Sequence, residues 1–269
     1  MPTETTAEYI IVTSRKGGVG KSTLSAQAGS ALAQLQNDAG VMLVDCDFGV
    51  RCLDILCGVS DKVLFDLGDV TAKRTTADKA AVSVRENLSL IASPVSEIPT
   101  AEQLTDTFAE LGKSYAKVIL DTPRDSLKAV AQAAKAAAGK YGRVRAIVVI
   151  HPHDMALRAA EITGRELEEL GIAEKHLVIN SFDADAVKKG TRPGIVELID
   201  RASIPLIGVI PYDSDITSAQ NDGRLIDSLR SKNAVQAYLN TAKRLNGENI
   251  PLFTGFKLKG TDRKKILRA

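Results

Sequence analysis

The stretch Ser14-Arg15-Lys16-Gly17-Gly18-Val19-Gly20-Lys21-Ser22-Thr23 decides the fold of this chain. It follows an apolar, β-branched run, YIIVTS (9–14), and opens a helix-like segment over 22–37. Strand, glycine loop, Gly-Lys-Ser and helix together are the context that a phosphate-binding loop requires. Glycines let backbone N–H groups approach phosphate oxygens, and the positive end of the following helix favours an anion. On this reading Gly17, Gly18, Val19, Gly20, Lys21, Ser22 and Thr23 bind the nucleotide. Lys21 reaches its β- and γ-phosphates, and the Ser22 hydroxyl ligates Mg2+. The strict spacing G-x-x-x-x-G-K-[ST] asks for glycine at position 15, where Arg15 stands, and a second lysine, Lys16, precedes the glycines.

Outward from the loop, short apolar runs alternate with helical patterns. The runs are VMLVD (41–45), LSLIA (88–92), KVILD (117–121), RAIVVI (145–150), HLVIN (176–180) and PLIGVI (205–210). Their apolar residues lie side by side, as in strands buried on both faces. Helix-like segments cover 22–37, 100–114, 127–139, 154–171 and 226–246. Alternation of this kind predicts an α/β fold with a doubly wound, mostly parallel sheet and helices on both faces. Ligands of such sheets bind beyond the carboxyl ends of the strands. Asp45 and Asp47, Asp121 and Asn180 all fall there, on the same predicted edge as the glycine loop.

The 269 residues suit one large domain or two small ones, and no Ser/Gly/Pro-rich linker divides them. Residues 1–253 are read as a single domain and 254–269 as an appended tail. The chain carries a formal charge of +2, but residues 256–269 hold six Lys/Arg and one Asp, net +5, which leaves −3 for the remainder. Aromatics are only 4% and tryptophan is absent, which argues against a platform for stacking exposed bases. The N-terminus has no basic stretch followed by an apolar one, and no run approaches the ~18 apolar residues of a membrane span. The expected location is cytoplasmic. Cys46, Cys52 and Cys57 fit a reducing compartment and lack CxxC spacing, so neither a zinc site nor an iron–sulfur cluster is expected.

The form KGGVGKST with its leading lysine resembles the phosphate loop of the MinD/ParA family of P-loop ATPases, and the likeness is nearest to its MinD branch. It extends over about residues 8–253. LVDCDFGVRCLDILCGV (43–59) looks like the family's DxDxGLRNLD segment. VILDTP (118–123) stands where the family has its Walker B strand, and VKKGTRPGIVELIDRASIPLIGVIPYD (187–213) resembles the region leading to the adenine pocket. The resemblance implies an ATP-dependent homodimer in which Lys16 reaches the phosphates held by the other subunit. A cation supplied in trans offsets charge that develops during phosphoryl transfer. It implies that Asp45 and Asp121 hold Mg2+ and its water shell and that Asp47 orients the attacking water. It assigns Asn180, Pro211 and Asp213 to the adenine pocket. The implied activity is slow ATP hydrolysis to ADP, stimulated by an activator protein, in the placement of the division site.

Several residues depart from the family pattern. DTPRD (121–125) replaces DxPAG, so Arg124 and Asp125 are bulky where the family has small residues. Cys52 replaces an asparagine, and His151 and His153 stand where the family often has threonine and proline. In the tail, Gly255 and Gly260 interrupt the amphipathic helix by which MinD proteins hold a membrane. Basic side chains contribute about 1 kcal/mol each near an anionic surface. Two tails on one dimer would add avidity, giving peripheral attachment to the inner face of the cell membrane. A solvated tail, a DNA-segregating, ParA-like role and, from the altered DTPRD, a nucleotide-binding regulatory protein with little turnover are the competing readings. The body's negative charge speaks against DNA.

Overall fold

The computed structural model describes residues 7–35, 40–95 and 97–252. The tail read from the sequence over 254–269 lies outside them.

Among the described residues eight strands form one sheet: β1 (Glu8–Ser14), β2 (Val41–Asp45), β3 (Val82–Arg85), β4 (Leu88–Ile91), β5 (Lys117–Pro123), β6 (Arg143–Ile150), β7 (Glu174–Phe182) and β8 (Leu206–Pro211). Their spatial order is β3-β4-β2-β5-β1-β6-β7-β8. All neighbours run parallel except β3 and β4, an antiparallel hairpin that closes one edge. Eleven α-helices accompany them among the described residues: α1 (Lys21–Leu35), α2 (Leu53–Leu56), α3 (Leu67–Thr71), α4 (Ala77–Ala80), α5 (Ala101–Ser114), α6 (Leu127–Ala138), α7 (Asp154–Glu169), α8 (Ala184–Lys188), α9 (Ile195–Ala202), α10 (Ser214–Asn221) and α11 (Lys232–Leu245).

The period of two along the central strands divides their side chains between two cores. Tyr9 and Ile11 join Met42, Val44, Val118, Leu120, Ala146 and Val148 on the face covered by α5, α6 and α7. Ile10, Val12, Leu43, Ile119, Ile147 and Val149 lie on the other, under α1 and α11. Both faces are apolar, and so the runs read as unbroken. Each fully buried Ile, Leu or Val contributes about 1.5–3 kcal/mol. The helices sit close: a Cβ on Gly29 of α1 would meet Leu43 Cδ2 at 2.6 Å.

The short helices α2, α3, α4, α8, α9 and α10, of four to eight residues, lie outside the five helical segments expected from the sequence, and two further elements differ from that expectation. The strand β3 was not anticipated, because VSVR is short, half-exposed and carries Ser and Arg as edge strands do. The helix expected over 226–246 starts only at Lys232. Ile226–Ser228 form a 3-10 turn, and the Ser231 side chain accepts the Ala234 N–H as the helix cap.

Candidate functional site

The parallel topology sets the first strand between β5 and β6, so the segment after Ser14 turns over the middle of the carboxyl edge. Lys16, Gly17 and Gly18 are exposed there, while Val19 is buried and anchors the loop. Gly18 and Gly20 take φ of 72° and 87°, a left-handed conformation that glycine adopts without a Cβ penalty. A Cβ at position 20 would also lie 2.2 Å from Asn180 Nδ2 and would displace that side chain from its place against the loop. The Asn180 amide donates to the Val19 carbonyl at 2.8 Å. α1 begins at Lys21, so its first N–H groups point out of the helix toward the loop. Arg15, which breaks the strict motif, turns away to α7 and pairs with Glu166 at 3.2 Å.

Beside the loop, the register of β2 and β5 sets Asp45 directly across from Asp121. Both are completely buried. Asp45 accepts the backbone N–H groups of Asp47 (3.0 Å), Cys52 (3.1 Å) and Leu53 (3.0 Å), which fixes the course of the chain after β2. Asp121 Oδ1 accepts the Ser25 hydroxyl at 3.0 Å, and its buried Oδ2 makes no hydrogen bond of ordinary geometry among the described residues, although the Ser22 hydroxyl is near enough to the carboxylate to act on it. Burial pushes Asp45 up to about 7, with the charge of Asp121 adding to the rise and the three N–H donors opposing it. Burial likewise pushes Asp121 up to about 6, against the pull of Ser22, Lys21 and Ser25. Asp47 is raised by burial and by the nearby Asp125 carboxylate, while Lys21 acts to lower it. Lys21 is thus the cation that faces this acidic group from the loop.

The donor set suits Mg2+, a hard ion that binds oxygen. Asp45 and Asp121 supply carboxylates, Ser22 a hydroxyl, and the buried Oδ2 of Asp121 lacks the hydrogen bond that such an atom ordinarily has.

On the far side of the loop, Gly18, Gly20, Thr23, Asn180, Pro211 and Asp213 line a cavity of about 150 Å3, together with His151 and Tyr212. All three residues expected at the adenine are therefore on its wall. Asp213 is engaged structurally as well: its side chain caps α10 through the Asp215 N–H at 2.9 Å and takes the Ser231 hydroxyl. His151 is held below its ordinary value by burial, then by His153, Lys16 and Arg192. A larger cavity, about 890 Å3, opens between α3 and α5. It contains none of the residues read from the sequence.

Two contributors escaped the sequence reading. Ser25 lies three residues after Ser22, on the same face of α1, and that spacing was the available signal. Gln220, whose amide reaches the Thr23 hydroxyl, comes from α10 and has no sequence signal at all.

A glycine loop between a strand and a helix, facing buried aspartates on the adjoining strands, defines a P-loop nucleotide-binding protein. Residues 10–226 match the CobQ/CobB/MinD/ParA nucleotide binding domain, and the chain belongs to that family. It is 35% identical over 252 residues to the septum site-determining protein MinD of Bacillus subtilis, covering 91% of each chain. The MinD cell division protein of Aquifex aeolicus superimposes with a TM-score of 0.80 at 28% identity, covering 91% of this chain and 99% of its own. The same organism's MinC:MinD cell division protein complex contains a chain that matches with a TM-score of 0.80 at 29% identity, over 91% of this chain and 98% of that one. The expected family and fold are borne out: this is a MinD-type member of a nucleotide-binding ATPase family associated with cell division.

Proposed function

We propose that this chain binds Mg-ATP at the carboxyl edge of the sheet, pairs with a second copy across the bound nucleotide and hydrolyses it slowly. The observation that carries this reading is the apposition of the Gly17–Thr23 loop, Lys21 included, with the buried pair Asp45 and Asp121. Gly17, Gly18, Val19 and Gly20 offer backbone N–H groups to the phosphates, with Lys21 as the fixed cation. Ser22, Asp45 and Asp121 would hold Mg2+, which when bound neutralises charge on the phosphates. Asp47 orients the attacking water by accepting its hydrogen bonds. Lys16, exposed on the loop, serves the neighbour's nucleotide, and Asn180, Pro211 and Asp213 frame the base.

The nucleotide cycle then controls association with partners in division-site placement, as the septum site-determining relatives suggest. An activator protein would accelerate turnover. Among the described residues no helix is long and apolar enough to cross a membrane. The reading assigns residues 1–253 to one domain and gives the basic tail over 254–269 the task of peripheral attachment to an anionic surface. Co-sedimentation of the full chain with anionic liposomes tests that clause, and equal recovery in the supernatant with ATP and ADP would remove it.

Size-exclusion chromatography of an Asp47→Ala variant tests the core of the reading. A monomer with Mg-ADP and a dimer with Mg-ATP is the expected result. A single elution position with both nucleotides would falsify the dimer account. A second reading, nucleotide binding with little turnover, draws support from Asp125, whose charge raises Asp47 where the family has a small residue. Phosphate release from wild type that is no faster than from Asp47→Ala would favour it.

A further inference from the structure

The lack of CxxC spacing led to no expected site at the cysteines, but spacing along the chain says nothing of groups that meet in space. The ligand atoms of Asp45, Cys52 and Asp121 all lie within 4.8 Å of one another. Cys52 Sγ is also 3.4 Å from the Ser22 hydroxyl. The thiol therefore sits against the oxygen donors assigned above to Mg2+. Its backbone is held there, because the Cys52 N–H donates to Asp45 Oδ2 at 3.1 Å. Asp121 points to a ligand as well: it is completely buried, and its Oδ2 makes no hydrogen bond of ordinary geometry among the described residues.

We propose that Asp45, Cys52 and Asp121 form a mixed thiolate–carboxylate site that takes a thiophilic divalent cation, zinc being the physiological candidate, in competition with magnesium. Zinc accepts sulfur and carboxylate oxygen in tetrahedral sites, whereas magnesium takes oxygen in an octahedron and gains nothing from a thiol. Around one zinc ion, bonds of about 2.0–2.3 Å set ligand atoms roughly 3.5 Å apart. From within 4.8 Å, the ligand atoms reach that separation by closing at most a little over 1 Å. Binding forms one sulfur–metal bond and releases the thiol proton to solvent, with no redox step. An asparagine at position 52, the residue the sequence resemblance leads one to expect, offers no such ligand. The inference rests on the Mg2+ assignment of the preceding section. Its consequence is a nucleotide cycle that stalls when a soft metal occupies the magnesium position.

Cadmium reports the bond directly through the ultraviolet charge-transfer band of a cadmium–thiolate. Nucleotide-free, full-length protein is titrated with Cd2+, and Zn2+ then competes the band away. Wild type and Cys57→Ser should show the band. Cys52→Ser and Cys52→Asn should lose it while keeping the wild-type far-ultraviolet circular dichroism. No band in wild type, or a band that survives in both position-52 variants, would overturn the proposal, as would one that requires Cys57. Mg-nucleotide affinity is measured separately by calorimetry without soft metal. Failure there strikes the proposed function, whereas failure of the cadmium band with intact Mg-nucleotide binding strikes this inference alone.

Discussion

The two ends of one parallel sheet treat buried carboxylates in opposite ways. At the amino ends of the strands, register sets Glu8 of β1 across from Lys117 of β5 and Arg143 of β6. Glu8 pairs with Lys117 and with the buried Arg145, and with Arg143 at 3.7 Å. Arg143 continues the network to Glu174 at 2.6 Å. At the carboxyl ends, register sets Asp45 across from Asp121, like against like. There the protein supplies N–H and hydroxyl donors and Lys21, and leaves one oxygen with no hydrogen bond of ordinary geometry among the described residues. At the first end the charges are paired within the chain, although Glu8 Oε1 and Arg145 Nε make no hydrogen bond of ordinary geometry among the described residues. The second is completed only by a cation and a ligand from outside. Buried carboxylates raised by a like neighbour are a mark of function when they share an edge with a phosphate loop, while a partly exposed ionic cluster whose charges cancel reads as scaffold.

Each end can be broken separately. The largest effect is expected from Glu8→Ala, which strands Lys117 without its carboxylate and leaves the buried Arg145 only Glu174 at 3.6 Å. Loss of a buried partner costs about 3–5 kcal/mol, to be read as a lower urea midpoint at unchanged slope. Nucleotide affinity should change little, because the site lies at the opposite end of the strands.

The pH dependence separates the ends next. Asp45 and Asp121 have folded-state values raised to about 7 and about 6, so between about pH 4 and 7 the folded chain binds more protons than the unfolded one. Stability contributed by the pair is therefore full below pH 4 and is lost as pH rises through 7. Metal-free protein should lose a few kcal/mol over that window by this route, seen in urea titrations at stepped pH. Asp121→Asn should flatten the fall, since its oxygen keeps the Ser25 bond and the like charge is gone. A steeper fall in the variant would contradict the pairing of these two groups.

A third test acts on the cation at the open end. Lys21→Ala should weaken Mg-nucleotide binding by about a hundredfold in calorimetry, the cost of removing one partner from a desolvated charge pair. The smallest effect is expected at Arg15, whose pair with Glu166 is partly exposed. Arg15→Ala should cost at most about 1 kcal/mol of stability and lose that difference in high salt. A larger cost would mean that the loop depends on its tie to α7.

Much of the site was legible in the sequence because its residues stand at strand ends. Once KVILD and VMLVD are read as buried parallel strands, Asp121 and Asp45 fall on the same edge as Gly17–Thr23. Less was legible where a side chain's use depends on a neighbour remote in sequence. Asp213 lies on the expected pocket wall yet also caps a helix, and nothing local distinguishes the two uses. Asn180 stands at the pocket as expected, but its hydrogen bond runs to the loop backbone. The edge strand Val82–Arg85 was hidden because one open face and one open edge place little demand on composition.

The sequence alone determined the layered α/β architecture, the phosphate loop and the aspartates beside it. Local patterning carries that information: apolar runs, glycines that relieve a steric constraint, and a helix start at a fixed offset. Only the tertiary structure decided which buried charges cancel and which do not. Glu8 and Asp121 are both acidic residues in apolar strands, and nothing in their neighbours along the chain separates them. Strand order and register give Glu8 its cations and give Asp121 another carboxylate with a thiol beside it. Electrostatic energy depends on distance in space, and the fold alone sets that distance.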